Sequence, residues 1–229
     1  MPNYFEVKDV FEPRIVGVKD GFGQVTYDDA FLKAHQWFDE LYKPGTPKDT
    51  WRAWANIPDH AQPLHGLSLR PHAKLTDILG ISLLHGYLIN DKVRELLATA
   101  NLPRHQYCEA TLTRNCTPVK ERYWWFVYAL EAGETTVDFP QSTFTDCYGT
   151  EPQPVASYAE YLDIYYQTNA LKARKLVFNE NFDHTLDMWT PMFLSMKHGY
   201  ISQKLHEIFT RNDVSGYRIR KSECDFVFA

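Results

Sequence analysis

The nine histidines and the carboxylates near them are the residues of this chain with the widest chemical repertoire. His60, His65 and His72 fall in one stretch beside Asp59, and imidazole next to carboxylate is the raw material of acid–base catalysis or metal ligation. Their spacing matches no helix face, and neither an HExxH pair nor a Cys/His pattern is present, so no metal site is expected. His206-Glu207 is only a dipeptide, and adjacent residues on a helix point in different directions. The glycine-dense stretch 17–23 (GVKDGFG) lacks both the GxGxxG order and a GK[ST] ending that cradle phosphates, and it reads as a hairpin turn. No GxSxG elbow occurs. Cys108, Cys116, Cys147 and Cys224 lie far apart without a CxxC pair and read as reduced packing residues. These residues assign no catalytic, cofactor-binding or metal-ligating role, and the chain is read as a non-enzyme without a cofactor. An enzyme would have to assemble a hydrolase or transferase site from His60, His65 or His72 and a distant carboxylate.

Binding chemistry is better represented. Trp51 and Trp54 stand three residues apart, so both indoles share one face of a helical turn and are the candidate partner-binding residues. An intracellular scaffold or regulatory subunit docking through this pair is a further alternative. Trp124 and Trp125 are consecutive in a strand-like run, which sends one ring to each face.

The elements that must position these residues follow from periodicity. Helices are predicted at 28–42, opened by Asp28-Asp29, and at 90–100, 157–172 and 202–211. The third begins with a capping box, Ser157-Tyr158-Ala159-Glu160, and buries a stripe of Leu162, Tyr165 and Tyr166, with Lys172, Arg174 and Lys175 at its C-terminal end. Strands are predicted at 106–113, 123–130 as a central strand, 142–147, 175–178 and 217–220. The proline-punctuated stretch 58–71 reads as a loop.

Of 229 residues, 44% are hydrophobic and 15% aromatic, which marks a globular chain. A net charge of −5 supplies no positive field for nucleic acid. The longest apolar run, YWWFVYAL at 123–130, is far shorter than the roughly 20 residues of a membrane-spanning helix. The acidic N-terminal stretch has no signal-peptide pattern, so a cytoplasmic protein without membrane association is expected.

The chain also contains an echo. His85-Gly86-Tyr87 leads through Ile89-Asn90-Asp91-Lys92-Val93 to Glu95, and His198-Gly199-Tyr200 leads through Ile201-Ser202-Gln203-Lys204-Leu205 to Glu207. Asn90 and Ser202 are placed as N-caps, and Val93, Leu96, Leu97 and Leu205, Ile208, Phe209 share one helix face in each copy. His85 and His198 read as turn histidines bonded to backbone rather than as a paired site.

These two helices, the aromatic run YWWFVY and the closing GYISQKLHEIFTRNDVSGYRI resemble a family of bacterial immunity proteins of polymorphic-toxin and contact-dependent competition systems, a grouping that began as a domain of unknown function. Ile201-Ser202-Gln203-Lys204-Leu205 and Ser215-Gly216-Tyr217 carry the resemblance, and Ile89-Asn90-Asp91-Lys92-Val93 is a looser version. It spans residues 75–229 and leaves 1–74 as an N-terminal helical portion of one 1–229 domain. The resemblance implies a non-enzymatic protein that binds a cognate toxin domain and neutralises it in the cytoplasm. The expected architecture is α+β, with a mixed or antiparallel sheet, helices packed on it and two similar turn–helix–strand units.

Overall fold

Aromatic and β-branched residues favour a pleated, buried surface, and the run predicted as the central strand is one. The computed structural model describes residues 4–10, 12–19, 23–35, 56, 59, 61–81, 85–146, 148–168, 171–191 and 199–229. The first half contains β1 (Tyr4–Asp9), α1 (Pro13–Val16), β2 (Val25–Thr26), α2 (Asp29–Ala34), β3 (Leu64–Leu69), β4 (Ile78–Leu79), β5 (Tyr87–Asn90), α3 (Asp91–Leu97), β6 (His105–Arg114) and β7 (Thr117–Pro118). The second contains β8 (Tyr123–Tyr128), β9 (Thr143–Asp146), β10 (Pro152–Gln153), α4 (Tyr158–Thr168), β11 (Leu171–Phe178), β12 (Met188–Trp189), β13 (Tyr200–Ser202), α5 (Gln203–Arg211), β14 (Tyr217–Lys221) and β15 (Asp225–Phe228). The class is α+β, with antiparallel and mixed sheets.

One sheet runs β2-β3-β6-β8-β5-β4, with β7 paired to β6. A parallel bridge from Val25 to Ile81 and a bond from Val25 N–H to the Gly80 carbonyl (3.1 Å) join its two end strands, so the sheet closes on itself. Its six main strands contribute to one core that includes Val25, Leu67, Leu79, Leu88, Cys108 and Trp125, and Val16 and Phe31 of α1 and α2 pack against it. The second sheet runs β10-β9-β11-β15 and the third β12-β13-β1-β14. An aromatic core lies between these two, with Phe144 and Phe178 from one and Tyr4, Trp189 and Tyr200 from the other. A third core gathers the buried faces of α3 and α5, including Val93, Leu97, Leu205 and Phe209, against Ile89, Phe126, Val7 and Ile201.

The strand at 123–130 is β8, central between β6 and β5, and Trp125 points into the closed sheet while half-buried Trp124 points the other way. Asn90 Oδ1 accepts from Val93 N–H (3.1 Å) and Ser202 Oγ from Leu205 N–H (3.1 Å), the caps predicted from their positions. Asp28 likewise caps α2 through Phe31 N–H, and residues 36–42 of that predicted helix lie outside the described residues.

Several expectations are corrected. The stretch 58–71 is not all loop, because 64–69 forms β3, parallel to β6. Its buried Leu64, Leu67 and Leu69 break the two-residue period at a register shift around Gly66, and that bulge hid the strand. The helix predicted to 172 ends at Thr168. Lys172, Arg174 and Lys175 belong to β11, which pairs with β9 and β15, and ladder pairing of that run overrides its helical charge pattern. Tyr161, fully buried beside Leu162, leads the stripe on α4, with Tyr165 partly buried. In the capping box Ser157 Oγ accepts from Glu160 N–H, but the Glu160 carboxylate takes the amide of Ala156 rather than that of Ser157. Residues 20–22 of the stretch read as a hairpin turn lie outside the described residues; on either side of them, Gly17 ends α1, and β2 pairs with β3 rather than with β1.

Candidate partner-binding face

Trp51, Trp54, His60 and His198 lie outside the described residues. His65 is exposed on β3, its Nδ1 3.4 Å from Thr111 Oγ1. His72 is exposed in the turn after β3, at the rim of a surface cavity of about 530 Å³ lined also by Lys74, Arg114 and Asn115. Asp59, the carboxylate read beside them, is engaged by Arg104 at 2.8 Å. Among the described residues no cluster of three His, Cys, Asp or Glu side chains is placed to hold a metal. His85 behaves as a turn histidine. Its Nε2–H donates to the Tyr128 carbonyl (2.9 Å), and burial pushes the imidazole down to about 4.

The motif residues of the resemblance are structural. Burial raises the Asp187 carboxyl, but bonds from Lys204 (2.7 Å), Ser202 Oγ (2.7 Å) and Asn101 N–H (2.8 Å) outweigh it and hold the group below the usual carboxylate range. Asp77 is held low in the same way, by Ser215, Asn90 and Lys92 against the effect of burial. Lys92 and Lys204 of the two motif copies are thus spent on scaffold carboxylates.

A different cluster presents unspent groups. Asn90 caps α3, so Asp91 opens its first turn and Arg94 lies one turn on, over the same sheet face. Register puts Trp124 of β8 between Ile89 and Glu109, within reach of both. Trp124 Nε1–H donates to Asp91 Oδ1 (2.7 Å), which fixes the indole. The Arg94 guanidinium sits 3.9 Å over the Trp124 ring and 5.3 Å from that of Tyr107, and Arg122 lies 4.8 Å from the indole. Tyr107 stacks on Phe126 at 5.1 Å, and its buried hydroxyl has no partner among the described residues. Burial pushes that phenol up to about 12, against the opposing pull of Arg94, so it stays protonated and a donor.

Among the described residues neither Arg94 nor Arg122 makes an ion pair, and stacking leaves the edges of a guanidinium free. Two such forks on one indole can each take a carboxylate bidentately. Trp, Tyr and Arg together are the composition of an interface hot spot. Sequence reasoning missed Arg94, Arg122, Tyr107 and Asp91. The three-residue spacing of Asp91 and Arg94 was the available signal, but their meeting with Trp124 depends on strand register across β5 and β8.

No protein-family model matches the chain, and no curated protein matches it.

Proposed function

We propose that the chain is a non-enzymatic immunity protein that binds a cognate bacterial toxin domain in the cytoplasm and neutralises it. The observation that carries this reading is the Ile201-Ser202-Gln203-Lys204-Leu205 motif and its looser partner at 89–93, on which the resemblance rests. Their bonded positions build scaffold, which leaves recognition to surface groups such as Trp124, Arg94 and Arg122. The partner chemistry that suits this face is a protein segment offering carboxylates to two stacked guanidiniums.

The same reading treats the motif copies as two similar turn–helix–strand units. In support, each copy runs from a two-stranded antiparallel ladder into a capped helix: Ile78 opposite Ile89 before α3, and Met188 opposite Ile201 before α5. A strand follows each helix, β6 in one case and β14 in the other.

The test is capture of the tagged chain from its native cell, followed by co-expression with the captured protein in a naive host. A one-to-one complex with a toxic domain, and rescue of growth by the chain, is the expected result. Arg122→Ala and Arg94→Ala should each weaken that complex by about 10- to 100-fold while leaving the urea midpoint nearly unchanged. Absence of both complex and protection removes the proposal.

A further inference from the structure

The third strand of each α-helical unit arrives from an unexpected place in the chain. In the first half the order is β4-β5-β8-β6, and in the second it is β12-β13-β1-β14. The strand between β5 and β6 is β8, which opens the second half, and the strand between β13 and β14 is β1, which opens the first. Both run antiparallel to both neighbours.

The details agree bond by bond. Tyr123 of β8 stands opposite the N-cap Asn90 and donates its hydroxyl to the Thr76 carbonyl (2.8 Å), just before Asp77. Tyr4 of β1 stands opposite the N-cap Ser202 and donates to the Leu186 carbonyl (2.8 Å), just before Asp187. The Asp77 carboxylate accepts from the amide of Ser215, in the turn leaving α5 (2.8 Å), and the Asp187 carboxylate from that of Asn101, in the turn leaving α3 (2.8 Å). Each acid therefore grips the exit of the other half's helix. Beyond β4, Val25 N–H meets the Gly80 carbonyl and Val25 bridges Ile81; beyond β12, Glu131 N–H meets the Thr190 carbonyl (2.8 Å) and Glu131 bridges Pro191. Finally β3 runs parallel to β6, and β11 parallel to β15, which follows β14.

We infer that the chain is two copies of one fold unit that have exchanged their first strands, so that each half carries a binding slot for an extended segment and the other half fills it. The ligand class of each slot is a strand whose leading tyrosine reaches the carbonyl before the gripping aspartate. An empty slot would leave two unpaired ladder edges, so neither half is complete without the other's strand. Where the slots differ, the first strand supplies Trp125 to one core, while the other accommodates Glu6, buried and paired with Arg220. The inference holds whatever partner the protein binds.

The test inserts a site-specific protease sequence into the exposed turn at 115–116, between β6 and β7 of the full chain, which is folded and then cut. The cut leaves β1 on one piece and β8 on the other. The pieces should co-elute as one species and unfold in a single urea transition. Separated in urea, neither should recover its near-ultraviolet circular dichroism until the two are mixed. Dissociation of the cut protein, or recovery by one piece alone, overturns the inference. If the inserted sequence prevents folding, native-state hydrogen exchange of the unaltered chain decides. Amides of β5 and β13 must open as one unit with the same protection, and separate opening of the halves overturns it.

Discussion

At the scale of single residues, His85 and the two gripping aspartates both make stability fall with acid, in successive pH windows. The His85 imidazole is pushed down to about 4 from 6.5 by burial, so the unfolded chain takes up that proton first as pH falls. The His85 contribution should be level above pH 6.5, fall between 6.5 and about 4 by roughly 3 kcal/mol, and be level again below. Urea midpoints measured across pH check this, and His85→Gln should flatten that part of the curve. Asp77 and Asp187 are held below the ordinary value of 3.8, so their contribution is present above 3.8 and is lost as pH falls through the folded values. Asp187→Ala strands the Ser202 hydroxyl and the Asn101 amide, and should lower unfolding free energy by about 2–3 kcal/mol in urea titration. Lys204→Ala should cost under about 1 kcal/mol, because that side chain is 60% exposed and its removal leaves the buried bonds of Asp187 in place.

At the scale of elements, close approaches decide which turns tolerate change. Gly216 has φ +92°, and a Cβ there would lie 1.9 Å from the Ile78 carbonyl oxygen, a backbone atom of the opposite half. Gly216→Ala should therefore cost about 3 kcal/mol or more and drop the thermal midpoint sharply, as a thermal melt would show. Helices were legible where a cap and an apolar stripe coincided, as at Asn90 with Val93 and Leu97, or Ser202 with Leu205 and Phe209. The end of α4 was not, because Lys172 and Lys175 look like a helix C-terminus until β9 claims them. Strand β3 was hidden by prolines and a bulge. On the candidate face, Trp124 was legible as one of two oppositely directed rings, whereas the stacking of Arg94 on it joins two separated segments, α3 and β8.

At the scale of the whole molecule, the core shared by α3 and α5 couples the halves. Leu205 is fully buried there, so Leu205→Ala should cost about 2–5 kcal/mol and, if the halves act as one cooperative body, shift the urea midpoint without splitting the transition. Local alternation and spacing in the sequence sufficed for the α+β class, the central aromatic strand, the capped helices and the echo between 85–97 and 198–209, because each rests on residues a few positions apart. Only the tertiary structure decided that β1 and β8 cross to opposite halves, that Asp77 and Asp187 grip each other's helix exits, and that Arg94 meets Trp124. Those pairings join residues far apart in sequence, and their signatures are single polar side chains that by type alone resemble any solvated charge. Burial and register give them their meaning, and both exist only once the chain has folded.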